Sequence, residues 1–236
     1  MMEKEILKSR ILIISKNMNT FTSYVSACNK SRNYSGPSVY FHKKAIDKYR
    51  NTDHYDKLLS DNQYIEYIYA TLTAWGMHRM TKNVLLKEFE DFKKVINLNR
   101  DNLIELNKYK LEKIQSIKGI EGLLLNVFDN LVVMEKGSKI VGTSKALHHL
   151  LPDLVPPIDH RNTINFFYED PLKKQASISK AEDKCFLEIL GEYLEITRKL
   201  NLTFCGYPNK NTFDTSVPKI IDNAIIGFVQ KEEGKV

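Results

Sequence analysis

Apolar residues recur at steps of three and four along most of this chain, and no run long enough to make a strand alternates apolar with polar. That pattern restricts the fold more than any other feature. Ile65, Ile68, Leu72 and Trp75 form one stripe, and Leu85, Phe89, Phe92 and Ile96 another. Leu124, Val127, Phe128, Leu131 and Val132 line a helix that reads as buried, and Phe186, Ile189, Leu190, Tyr193, Leu194 and Thr197 line a longer amphipathic one. A last helix is predicted from Ser216, a suitable N-cap with Pro218 in the first turn, burying Ile220, Ile221, Ala224, Ile225 and Phe228. The expectation is a mainly α, compact multi-helix protein of about nine to eleven helices, bundle-like or bilobal. Residues 1–236 then form a single helical domain, or two helical lobes with a cleft near Asp159. With 42% hydrophobic residues the chain can bury a substantial core.

A net charge of +6, from 35 Lys and Arg against 29 Asp and Glu, favours polyanionic partners, although a mild lysine surplus is also common on a solvated surface. The three cysteines, Cys28, Cys185 and Cys205, are odd in number and lack metal-ligand spacing, which suits a reducing compartment and thiols used as small core residues. The first apolar run, Ile11 to Ile14, is flanked by basic residues and is too short for a signal peptide. No segment approaches the roughly 20 apolar residues of a membrane span. A cytoplasmic protein is expected. Lys30 to Ser38, with Gly36 and Pro37, reads as a loop between helices. Neither a phosphate-cradling loop nor a dinucleotide fingerprint is present, so energy-driven and redox functions are not expected. Ser144 lacks a glycine-flanked elbow and Cys185 lies in a regular amphipathic helix, which argues against nucleophilic triads.

Chemistry is most expected between Lys139 and Tyr168. Pro156 and Pro157 fix φ and remove backbone donors, so the approach to Asp159 is extended and stiff, and a stiff approach holds a carboxylate in a defined position. Asp159 can equally cap a helix starting near Arg161, and the two roles are compatible.

The segment from about 120 to 168 resembles the helix-hairpin-helix DNA glycosylase superfamily. The residues that carry the resemblance are a helix from Leu123 to Met134, a linker with Gly137, the turn Ile140-Val141-Gly142-Thr143, a second helix from about Ser144 to Leu151, and Val155-Pro156-Pro157-Ile158-Asp159. The resemblance implies that Gly142 is the second glycine of the hairpin, Ala146 the small residue packing its second helix, and Asp159 the catalytic aspartate. Such a turn exposes backbone N–H groups to a DNA phosphate, with Gly142, Thr143, Ser144, Lys139 and Arg161 as DNA-binding residues and Lys136 and Lys145 adding charge. Family members that also cut the backbone carry a Schiff-base lysine two residues after this glycine. Here Ser144 holds that place and Lys145 follows, so the resemblance implies a monofunctional hydrolase in which Lys145 binds phosphate first and is only a secondary catalytic group. The implied reaction is hydrolysis of the N-glycosidic bond of a flipped damaged or modified base, in repair or in antiviral defence against modified phage DNA. No cofactor, no metal and no obligate protein partner is implied, and DNA is the partner.

Trp75, the only tryptophan, lies beside Gly76, His78 and Arg79. It suits core packing, or with His78, His160 and Tyr207 the lining of a base pocket. Arg161 suits a phosphate or an acid such as Glu169 or Asp170. Two other readings stay open. One is a noncatalytic helical DNA-binding protein in which Asp159 is only a cap. The other is a metal-dependent hydrolase using His148, His160 and Asp159, although His148 and His149, adjacent on a helix, point about 100° apart.

Overall fold

The computed structural model describes residues 2–30, 35–78, 83–168, 181–204 and 213–234, without the side chains of residues 2–7. The described residues are mainly helical, as the periodicity predicts. In chain order the first helices are α1 (Met2–Ile14), α2 (Met18–Lys30), α3 (Pro37–Arg50), α4 (Tyr55–Leu58) and α5 (Asn62–Leu72), which runs into a π-helical turn, Thr73–Met77. Then come β1 (Leu85–Leu86), α6 (Phe89–Leu98), α7 (Arg100–Leu106), α8 (Glu121–Asn130), β2 (Met134–Lys136) and α9 (Lys139–Leu150). A second π-helical turn, His160–Ile164, leads into α10 (Asn165–Phe167), followed by α11 (Glu182–Lys199) and α12 (Val217–Glu232). Among the described residues no helix is long and apolar enough to cross a membrane.

Helix α12 starts where Ser216 predicts: the Ser216 hydroxyl accepts from Lys219 N–H at 3.3 Å, with Pro218 in the first turn. It packs most extensively on α2 and is buried from Val217 to Gln230 except at Ile220, which is half-buried. Helix α9 is the second central element, buried from Ile140 to Leu150. Hydroxyls close its C-terminal end, because Tyr64 donates to the His149 carbonyl at 2.6 Å and Tyr55 to that of Leu150 at 2.7 Å.

Three local expectations are corrected. Leu85 lies in β1, paired antiparallel with β2, rather than on the helical stripe of Phe89 to Ile96. Helix α8 ends at Asn130, ahead of the β-branched pair Val132 and Val133, instead of continuing to Met134. Val132 is exposed, and the Lys87 N–H bonds the Val133 carbonyl at 3.0 Å. Helix α9 begins at Lys139, five residues before the expected start at Ser144, with Ser138 extended at the N-cap position. Gly142 therefore sits inside a helix, and its N–H bonds the Ser138 carbonyl at 3.2 Å. Gly142 is present for packing: a Cβ there would collide with the Met134 side chain.

Candidate functional site

Helix α9 fixes the path to Asp159 from both ends of the double proline. Ser144 and His148 lie one turn apart and face the same way. The His148 Nδ1–H donates to the Val155 carbonyl at 2.8 Å, and the Ser144 hydroxyl accepts from Ile158 N–H at 3.0 Å. Pro156 and Pro157 have no N–H to satisfy, so two side-chain bonds anchor the buried segment from Val155 to Ile158. Ser144, expected at a DNA phosphate, instead positions the backbone that carries Asp159.

Asp159 is extended, half-buried, and caps the turn His160–Ile164. Its Oδ1 accepts from Asn162 N–H at 2.6 Å and its Oδ2 from the Asn162 side-chain amide at 3.0 Å, while its own N–H donates to Thr163 Oγ1 at 3.2 Å. The cap was foreseen, and it does not take the carboxylate out of play. Asp159 also lines a cleft of about 540 Å³ together with Trp75, Lys145, His160, Arg161, Phe213, Lys219 and Asp222.

Trp75 sits in the π-helical turn, where Gly76 takes φ +78° and so bends the chain just after it. The indole N–H donates to the Ser38 carbonyl at 3.3 Å. The ring rests on His42 and His149, with centroids 5.4 Å and 5.0 Å away, and it also lines the cleft. Lys145 is only 8% exposed, and its ammonium lies 5.8 Å from the indole centroid. His160 is half-buried; desolvation lowers its pKa, opposed by the negative charge of Asp159. Arg161 is exposed and pairs with Glu233 at 3.5 Å; its anticipated partners Glu169 and Asp170 lie outside the described residues.

Other predicted site residues lie elsewhere. Gly142, Thr143 and Ser144 are buried, and Thr143 donates to the Leu131 carbonyl at 3.0 Å, so the expected turn of free amides does not form there. Lys139 pairs with Asp129 at 2.6 Å and covers the Phe128 ring. His78 is exposed and does not line the cleft. Tyr207 lies outside the described residues. His148 belongs to a buried histidine cluster and not to a ligand set with His160 and Asp159. Among the described residues no group of three or more His, Cys, Asp or Glu side chains is placed to hold a metal ion.

That cluster has a determinate proton arrangement. His149 Nδ1 faces the Lys145 carbonyl at 2.7 Å and must donate to it, which leaves Nε2 to accept from His42 Nδ1–H at 3.0 Å. His42 Nε2 then accepts from the Thr215 hydroxyl at 3.0 Å. Burial holds His42 and His148 well below the usual histidine range and His149 down to about 4, so all three are neutral near pH 7.

The sequence reading missed the cleft floor. Lys219, 4% exposed, donates to Asp222 Oδ2 at 2.6 Å and to Asn223 Oδ1 at 2.7 Å; Asn223 in turn donates to Asp214 at 2.8 Å. Its ammonium lies 5.1 Å from the Phe213 centroid and 5.9 Å from that of Trp75. Burial pushes the Asp222 carboxyl up to about 6, with Lys219 opposing and Asp159 reinforcing the shift. A signal was available, since Lys219, Asp222 and Asn223 interrupt the otherwise apolar run from Val217 to Val229, and charges in so buried a stretch must find partners or a ligand. No family model matches the chain, and neither a curated protein nor a solved structure does.

Proposed function

We propose that this protein is a DNA N-glycosylase that hydrolyses the bond between deoxyribose and a flipped, damaged or modified base, in repair or in defence against modified phage DNA. One observation carries the reading: Asp159, bonded to Thr163 and Asn162 and preceded by Ile158 that Ser144 anchors, stands on the wall of a cleft shared with an aromatic platform, Trp75, and the cations Lys145 and Lys219. The resemblance of residues 120–168 to helix-hairpin-helix glycosylases agrees with it in the proline-braced aspartate, though not in the turn at Gly142. DNA is then gripped by side chains, Lys145 and Arg161, in place of hairpin amides. The exposed Arg161–Glu233 pair is worth little and is readily exchanged for a phosphate.

In the reaction the C1′–N bond breaks and its electron pair leaves with the base. Positive charge builds on the sugar, and the Asp159 carboxylate stabilises it. Water oxygen then bonds C1′, and its proton passes to Asp159 and on to solvent, while the departing base takes up a proton. Trp75 offers a face for the extruded base, and the lysines attract its phosphates.

The test is conversion of modified duplex DNAs to alkali-labile abasic sites by the purified chain. Activity that disappears in D159N while DNA binding persists supports the enzyme. DNA binding without base release by the wild-type chain would establish the noncatalytic alternative.

A further inference from the structure

We propose that Asp222 determines which bases the cleft accepts, its Oδ1 taking a hydrogen bond from an N–H on the edge of a planar heterocycle that lies against Trp75. The inference rests on the reading that the cleft receives an extruded base, and it assigns that base a chemical requirement.

Asp222 is 3% exposed yet lines the cleft. Its two oxygens differ. Oδ2 is bound by Lys219, whereas Oδ1 is fully buried and has no hydrogen-bond partner among the described residues. A buried carboxylate oxygen without a donor is costly, and a donor brought into the cleft by a ligand would relieve that cost. Lys219 cannot turn to serve both oxygens without loosening its bond to Asn223, which itself is tied to Asp214. The carboxylate is therefore held in one orientation by a network that engages Oδ2 and leaves Oδ1 unused.

The surroundings favour a flat, polar-edged ligand. The Trp75 and Phe213 rings pack on each other, with centroids 6.3 Å apart at 56°, and together give the cleft an aromatic wall against which a planar ring can lie. The charged and titratable groups that influence Asp222 are Lys219 on its own helix, Lys145 on α9 and Asp159 beside the mouth, with Cys28 on α2 and Tyr193 on α11 also within electrostatic range. All but Lys219 lie on other elements. The two carboxylates divide the work: Asp159, bonded to Asn162, faces the sugar, and Asp222 reads the base. A site built around a buried acceptor rejects ligands without the matching donor, because the acceptor is then left unpaired.

Trp75 makes the experiment direct, since it is the only tryptophan and its fluorescence reports this cleft alone. The full-length chain is titrated with thymidine, whose base has one N–H, and with N3-methylthymidine, which has none. Wild type is expected to bind thymidine roughly tenfold or more tightly. D222N keeps the shape but replaces one oxygen with an amide donor, and there the preference should vanish. A preference that survives in D222N is steric and overturns the proposal, as does equal binding by wild type or no Trp75 response to either ligand. Should D222N fail to fold, the wild-type preference is compared at pH 7.5 and pH 5. It must shrink at pH 5, where the Asp222 carboxyl is largely protonated and a poorer acceptor, and a constant preference overturns the assignment. Base release from DNA with unaltered selectivity in D222N sinks this inference alone. N–H-dependent binding without base release sinks the catalytic reading alone.

Discussion

Ser144 Oγ accepts the N–H of Ile158 at 3.0 Å, so the residue before Asp159 is tied to the middle of a buried helix. S144A leaves that N–H buried and unpaired, which should cost about 1–3 kcal/mol in urea unfolding. Base release should fall with it through displacement of Asp159. A phosphate-binding Ser144 would behave differently, with weaker DNA affinity and unchanged stability.

Gly142 gives a sharper contrast. The methyl of G142A meets Met134, and overpacking of this kind costs about 1–3 kcal/mol. Met134→Ala should restore part of that loss in the double variant, a coupling that thermal unfolding of all four chains measures. Additive losses would show that the two side chains do not collide.

The buried histidines predict acid sensitivity. Their folded pKa values are lowered, so below about pH 6.5 the unfolded chain binds protons that the folded chain refuses, and stability falls as pH drops. The slope is about 1.4 kcal/mol per pH unit for each histidine fully titrated in the unfolded chain alone. Asp222 works the other way: its raised pKa keeps a proton on the folded chain between the ordinary carboxylate range and about 6, offsetting one proton of three. Urea midpoints should fall steadily from pH 7.5 to pH 5, and a flat profile would contradict the assigned neutral cluster.

Lys145 is expected to meet a phosphate. K145M should weaken DNA binding across sequences and reduce the slope of log affinity against log salt by about 1. Loss of stability with an unchanged slope would make it a structural lysine.

How far the sequence disclosed this arrangement depends on the range of the interactions. Periodicity located most helices, and the cap at Ser216 located the start of α12, because both are local. Asp159, Trp75, Lys145, His160 and Arg161 do line one cleft, since stiff or aromatic segments mark themselves. Gly142 misled, because its reason is Met134 in a neighbouring strand, and a glycine inside a helix looks like a glycine in a turn. The extended run after Asn130 was misread as helix because its strand partner lies some fifty residues earlier. Lys219 and Asp222 stand out as charges within the apolar run of α12, but no spacing rule links residue 222 to residue 159, so the sequence does not place them in the cleft.

The most direct measurement is the single-turnover rate of base release by D159N relative to wild type, with DNA affinity and melting temperature measured alongside. Asn caps a helix about as well as Asp, so the substitution removes the charge and keeps the cap. The account predicts a fall of about a hundredfold or more at unchanged stability and DNA binding. Release at the wild-type rate would contradict it and leave Asp159 as a helix cap.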